Sequence, residues 1–302
     1  MSSSLLTEAR SFLFVPGNRP ERFDKALASP AGMVIVDLED AVPAADKAAA
    51  RVALVAAWQQ WPTAQRARVV VRINAAQTAD HLDDLAWLPQ MPDLSAVMVP
   101  KAEKVTDLTG VQGALGMPSP ALIPIIESAE GLANVDALAR CPGVLRLAFG
   151  NLDFQADLGM ACGADEAELA PARLAIVVAS RRAGLAAPMD GVTTDTRDMG
   201  RVQADATRSL RFGFGAKLCI HPLQVAAVHA AFAPTAAQIE WAQRVLQAEA
   251  AAGGGAFTVD GRMVDPPVLK LARQCLAMAR TDHLPSTPHE AQKTTATKGF
   301  TG

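Results

Sequence analysis

Leu122-Ile-Pro-Ile-Ile-Glu127 and Val144-Leu-Arg-Leu-Ala-Phe-Gly-Asn-Leu-Asp153 are the two stretches that decide how this chain folds. Each is a short apolar run with a carboxylate just past its end. Runs of this length without polar alternation are typical of parallel strands covered on both faces. At the ends of two buried strands, Glu127 and Asp153 are poor packing material. Taken singly, each reads equally as a capping or loop carboxylate. Taken together, they form a half-shell for a hard divalent cation such as Mg²⁺, which takes oxygen ligands and leaves positions for substrate.

The same kind of run recurs along the chain. Strands are expected at Ser11–Val15, Met33–Asp37, Val69–Ile73, Ala96–Val99, Ala121–Ile126, Val144–Phe149, Ala187–Met189 and Ala216–Ile220. Between them lie Ala-rich amphipathic stretches, Pro20–Ala28, Ala44–Trp58, Ala79–Leu88, Lys104–Leu115, Ala129–Ala139, Glu166–Ala183 and Thr196–Phe212. Eight strand–helix units predict an α/β fold closed into a (β/α)₈ TIM barrel. A doubly wound open sheet is the competitor, but its usual Gly-rich GxGxxG first turn is missing.

After Ala233 the pattern changes. Helix Thr235–Ala251, a glycine hinge at Gly253-Gly254-Gly255, a short segment Ala256–Asp265 and helix Pro267–Ala279 follow. This predicts a catalytic barrel over 1–232, a C-terminal helical appendage with a hinged lid over 233–282, and a polar, disordered tail over 283–302.

At 302 residues, half of them hydrophobic and a fifth charged, the chain has ample material for a large core. Its net charge of −3 gives no reason to expect nucleic acid or an anionic membrane as partner. Cys141, Cys162, Cys219 and Cys275 show no CxxC spacing, so neither a zinc site nor a disulfide framework is indicated. The start, MSSSLLTEAR, lacks the basic and apolar regions of a secretory signal, and no run is long enough to span a bilayer. The expectation is a cytoplasmic protein.

In barrel enzymes the chemistry sits at the C-terminal ends of the strands. Here those positions carry Gly17, Asn18 and Arg19, then Asp37, Glu39 and Asp40, then Arg72 and Asn74. Lys101, Glu103, Glu127, Asp153, Asp190 and His221 complete the rim. Polar groups after nearly every strand describe an ion-rich mouth, which a purely structural barrel does not need. The fork of Arg72 suits a substrate carboxylate, or a salt bridge to Asp37, or both. Lys101 raises Schiff-base chemistry, with an electrostatic lysine as the alternative. His221 reads as an acid or base, or as a structural residue before Pro222.

Eight ordered segments carry a family likeness: SFLFVPGNRPERFDKA (11–26), VIVDLEDAV (34–42), VVVRINA (69–75), VMVPKAE (97–103), IPIIESAEGL (123–132), LAFGNLDFQADLG (147–159), MDGVTTD (189–195) and KLCIHPLQV (217–225). With these the chain resembles the citrate lyase β-subunit-like group of the HpcH/HpaI aldolase superfamily, metal-dependent (β/α)₈ enzymes. The resemblance implies that Glu127 and Asp153 hold Mg²⁺ and that Arg72 contacts the keto-acid half of the substrate. It implies that Asp37 supports the metal waters or Arg72. Gly17, Asn18 and Arg19 would line the acyl-CoA channel, and Asp190 would face the substrate. Asp265 would act as acid or base from a C-terminal segment reaching a neighbouring subunit of a homotrimer or hexamer; a plain subunit clasp with Asp265 exposed is the alternative.

The implied activity is retro-Claisen cleavage of a short β-hydroxyacyl-CoA, such as malyl-, β-methylmalyl- or citramalyl-CoA. Alternatives are a citrate lyase β subunit acting on citryl-acyl-carrier protein, or an aldolase for free hydroxy-keto acids. A catalytically silent member would have no need to retain Arg72, Glu127 and Asp153 together.

Overall fold

In a computed structural model, residues 2–116, 119–252 and 255–281 are described. Eight parallel strands close into a barrel in chain order: β1 Ser11–Pro16, β2 Met33–Asp37, β3 Val69–Arg72, β4 Ala96–Val99, β5 Ala121–Ile126, β6 Ala148–Phe149, β7 Met189–Asp190 and β8 Ala216–Cys219. The last strand closes on the first with Ser11 opposite Lys217. Every strand overlaps one that the sequence places, the seventh at Met189 alone. The expected sixth strand is shorter than its apolar run, because Val144 makes only an isolated bridge to Leu122.

Alternation along each strand sorts the side chains into two cores. Phe12, Met33, Ile35, Val70, Ala96, Met98, Ile123, Ile125, Ala148, Met189, Ala216 and Leu218 fill the barrel interior. Their neighbours Leu13, Val34, Val36, Val69, Val71, Val97, Val99 and Leu122 pack outward under the helices. Continuing the inward rows of β2, β3 and β5 by one more step gives Asp37, Arg72 and Glu127. Those three therefore face the mouth because of register, not loop chance.

The opposite end is plugged. Helix Ser2–Glu8, which the apolar periodicity does not announce, sends Leu6 into the interior core. Arg146 is buried beneath it, donating Nη1 to the carbonyls of Leu6 at 3.0 Å and Ala9 at 2.9 Å, and Nε to that of Ala187. Among the described residues, no carboxylate pairs with it. Its guanidinium lies 5.5 Å from the Phe12 ring.

The chain divides into two compact units between Phe232 and Ala233. The second unit contains helix Ala236–Ala252, hairpin Phe257–Val259/Arg262–Val264 and helix Pro266–Thr281. Asp260 and Gly261 form its two-residue turn at φ 51 and φ 75, the left-handed pair that a tight hairpin requires. Ala242, Val245, Val259, Val264, Leu269 and Ala272 make a small core of their own. Gly253 and Gly254 of the expected hinge, and the expected tail, lie outside the described residues. No described helix is long and apolar enough to cross a membrane.

Candidate active site

A cavity of about 310 Å³ opens at the C-terminal end of the barrel. Phe14, Ile125 and Leu218 form its apolar floor, and Asp37, Asp40, Arg72, Glu127 and Asp153 its polar rim. A larger hollow, about 620 Å³, lies at the other end, beside Leu6, Ser95, Ala121 and Val144. Among the described residues its one ionisable lining residue is Asp93, against five at the mouth. The mouth is the site.

Arg72 and Asp37 are opposite each other in the β2–β3 register. Arg72 donates Nε to Oδ1 at 2.7 Å and Nη2 to Oδ2 at 2.6 Å, the bidentate fork that planar guanidinium favours. Its Nη1 lies 2.9 Å from Oε2 of Glu39, an ion pair whose geometry is not that of a hydrogen bond. The Phe14 ring supports the guanidinium from 4.8 Å. Burial opposes this charge, yet Asp37 and Glu39 raise the Arg72 pKa above its ordinary value. The salt bridge and a substrate-facing position are thus compatible.

The loop carrying Asp37, Glu39 and Asp40 is held from below. Lys47 donates to the carbonyls of Leu38 at 3.1 Å and Glu39 at 3.2 Å, and also bonds Asn74 Oδ1. Asn74 is buried and ties Leu38 to Asp84, with 2.7 Å bonds to Asp84 Oδ2 from both its backbone N–H and Nδ2. Arg51 closes the group on Asp84 at 2.7 Å. Asn74 therefore serves loop architecture. Lys47, Arg51 and Asp84 were invisible as site-supporting residues, because charges on helices ordinarily read as solvated faces.

Glu127 follows β5 directly, and Ser128 takes over helix capping by accepting the Gly131 N–H at 3.1 Å. The Glu127 carboxylate is thereby spared that task. One oxygen accepts the backbone N–H of Lys101 at 2.6 Å. The other abuts Gly150, where a β-carbon would collide with it. Burial, then the charges of Asp153 and Glu39, push the Glu127 carboxyl up to about 8. Asp153 stands in the first turn of helix Asn151–Leu158, which the Gly/Asn/Asp-rich sequence does not advertise. Gly150 occupies the cap position there, so Asp153 is not the cap.

Lys101 spans the rim. Its Nζ donates to Glu39 at 2.7 Å and lies 3.8 Å from Asp40. Although burial works against its charge, Glu39 raises the Lys101 pKa. Schiff-base chemistry needs a neutral amine, and the ion pair holds the ammonium form.

Other rim residues go elsewhere. Asp190 does not line the cavity: Met189 fills the interior position of β7, which turns Asp190 outward into the helix layer. There it is fully buried and meets Arg173 Nε at 3.1 Å, the Ser209 hydroxyl and the Gly191 N–H. Burial works to raise its carboxyl, but Lys217 and Arg173 outweigh that and hold it below the ordinary range. The substrate contact expected of Asp190 is thus replaced by a structural ion cluster. His221 likewise accepts the Leu223 N–H at 3.3 Å, at the start of helix Gln224–Phe232.

Gly17, Asn18 and Arg19 are not among the cavity's lining residues. Gly17 brings β1 and β2 together, its N–H donating to the Asp37 carbonyl at 2.8 Å where a β-carbon would not fit. Asn18 bonds Asp46 at 2.9 Å, and exposed Arg19 bonds Glu21 at 2.7 Å. In the second unit, half-buried Asp265 caps helix Pro266–Thr281, its Oδ1 accepting the Val268 N–H at 3.2 Å.

Could this mouth hold a cation? Among the described residues, Asp37, Glu39, Asp40, Glu127 and Asp153 are met at the mouth by Arg72 and Lys101, an excess of negative charge in a partly buried space. The donors nearest the cavity are all oxygen, which suits a hard ion rather than a soft one. No described group of three or more His, Cys, Asp or Glu side chains forms a complete protein cage. Two carboxylates with open positions fit an ion that keeps water or substrate in its shell.

Comparison with known proteins agrees with the geometry. Residues 10–222 match the HpcH/HpaI aldolase/citrate lyase family. A citrate lyase subunit beta-like protein of Deinococcus radiodurans is 40% identical over 277 residues, covering 89% of this chain and 96% of the relative. The (3S)-malyl-CoA thioesterase of Cereibacter sphaeroides is 31% identical, covering 89% and 94%. The mitochondrial citramalyl-CoA lyase of Homo sapiens is 30% identical, covering 89% and 85%. Among solved structures, CitE of Mycobacterium tuberculosis in complex with magnesium, acetoacetate and coenzyme A superposes with a TM-score of 0.80. It is 35% identical, covering 91% of this chain and 99% of that one. The chain belongs to the HpcH/HpaI aldolase/citrate lyase family and is a carbon–carbon lyase.

Proposed function

We propose that this protein cleaves, or in reverse forms, a carbon–carbon bond in a short β-hydroxyacyl-CoA, with Mg²⁺ held by Glu127 and Asp153. The observation that carries the reading is the excess of carboxylates on the same rim as a rigidly held arginine. The bound ion would act as Lewis acid and template for the substrate's carboxylate and hydroxyl. Arg72, fixed in plane by Asp37, presents its remaining N–H groups to the keto-acid half. The apolar floor of Phe14, Ile125 and Leu218 excludes water from the reacting carbons. A cavity of about 310 Å³ suits the acyl portion, and leaves the bulk of coenzyme A outside.

Proton transfer falls to Asp265, supplied by a neighbouring subunit of a homotrimer or hexamer. Its Oδ1 is engaged in capping, which leaves Oδ2 for the proton. The substrate choices are malyl-, β-methylmalyl- and citramalyl-CoA; citryl-acyl-carrier protein is the alternative thioester. The Cereibacter relative favours a second reading, in which the thioester itself is hydrolysed.

One assay tests both. The protein is incubated with Mg²⁺ and a panel of acyl-CoA substrates, and glyoxylate, pyruvate, oxaloacetate and free CoA are measured. Release of a keto acid with an intact acyl-CoA supports the lyase. Free CoA without keto acid points to hydrolysis, and neither product from any substrate overturns the proposal.

A further inference from the structure

Lys101 touches both halves of the site at once. Its backbone N–H holds Glu127 Oε1 at 2.6 Å, while its Nζ holds Glu39 Oε1 at 2.7 Å. Glu39 in turn lies against Arg72, its other oxygen 2.9 Å from Nη1. Lys101 achieves this double reach from a left-handed backbone, φ 47, which a non-glycine residue adopts at a cost and keeps only where its surroundings over-determine it. Glu39 is nearly buried at 6% side-chain exposure, whereas the Lys101 side chain is 39% exposed. A lysine that could have extended into water is folded back onto a buried carboxylate instead. Glu127 in turn occupies the space that Gly150 leaves by lacking a β-carbon.

We propose that Lys101 is a positioning residue that fixes the separation between the carboxylate pole of the site, Glu127, and its guanidinium pole, Arg72. The inference rests on the reading of those two residues as the metal and keto-acid contacts. Its side chain acts on Arg72 through Glu39, and its backbone acts on Glu127. The two arms are therefore separable: removing the side chain loosens only the arginine pole. It also removes a positive charge near Glu127, which favours cation binding.

The test is calorimetric and needs no turnover. Mg²⁺ is titrated into the metal-free full-length protein, and oxalate, a planar mimic of a keto acid, into the Mg²⁺-saturated protein. Lys101→Met is expected to bind Mg²⁺ at least as tightly as wild type and oxalate about tenfold more weakly. Glu39→Gln should weaken oxalate to a similar degree, and the double variant should bind oxalate no worse than either single one, because both break one link. Lys101→Arg, which keeps the ion pair, should restore oxalate binding to within about threefold. Lys101→Gly adopts φ 47 without strain and reproduces the Lys101→Met result if that variant folds poorly.

Oxalate affinity in Lys101→Met and Lys101→Gly equal to wild type would overturn the inference. So would a parallel loss of Mg²⁺ and oxalate binding, which marks a merely structural lysine. Failure of the wild type to bind Mg²⁺ would instead remove the functional reading, and this inference with it.

Discussion

Arg72 and Asp37 are partners twice over, as register neighbours across β2 and β3 and as the two ends of a bidentate ion pair. Asp37 is 1% exposed and the Arg72 side chain 12%. Neither charge can rely on water if the other is removed.

Asp37→Asn should therefore cost about 3 kcal/mol of folding stability, the range for orphaning one member of a buried pair. Urea denaturation measures it. Activity should fall with it, because the guanidinium loses the acceptor that fixes its plane. A stability change within about 0.5 kcal/mol, the scale of ordinary surface substitutions, would show that the pair is not strained by burial.

Glu127 predicts a pH dependence. Its folded pKa of about 8 lies above the ordinary 4.5, so the fold prefers the protonated acid. The stability this contributes is complete below pH 4.5 and is lost as pH rises toward about 8. In EDTA the melting temperature should decline across that window, more steeply for wild type than for Glu127→Gln. Excess Mg²⁺, which binds the ionised form, should flatten the wild-type decline. Identical slopes for the two proteins would refute the burial of that charge.

Asp265 caps its helix and is proposed to move a proton, and substitution separates the two. Asn caps a helix about as well as Asp, so Asp265→Asn should melt within about 2 °C of wild type and retain Mg²⁺ binding. Its turnover should fall at least about a hundredfold if the residue moves a proton. Asp265→Ala should lose both turnover and about 1 kcal/mol of stability. Normal turnover in Asp265→Asn would confine the residue to capping.

Arg146 predicts a stability effect with no counterpart in binding. Arg146→Met leaves the carbonyls of Leu6, Ala9 and Ala187 without their shared donor. At about 1–3 kcal/mol for each buried group left unpaired, partly offset by relieving a buried charge, a loss of at least about 2 kcal/mol is expected. Deleting the first eight residues should destabilise wild type but add little to Arg146→Met. Additive losses would mean that the arginine does not act through the N-terminal helix.

The barrel was legible because most of its strands are nearly continuous apolar runs, although the sixth is shorter than its run. Asp37, Arg72 and Glu127 were legible as rim residues because each ends its run. Asp190 ends a run too, yet its neighbour Met189 takes the interior position, and run-ends alone do not reveal which face is inward. Helix Asn151–Leu158 escaped notice since Gly150, Asn151 and Asp153 read as loop formers, although they suit a helix start. The support of the β2 loop by Lys47, Asn74 and Asp84 joins residues far apart in sequence. No local pattern encodes such a contact.

The inward rows that end in Asp37, Arg72 and Glu127 also limit how this mouth can change over time. Dropping one residue from Val69–Val71 would leave an equally apolar strand, but would turn the guanidinium under the helices and aim Ile73 at the substrate. Such a frame tolerates exchange of side chains far better than it tolerates gain or loss of a residue. New specificities on this scaffold should therefore arise by substitution within the strands, with changes of length confined to the loops beyond them.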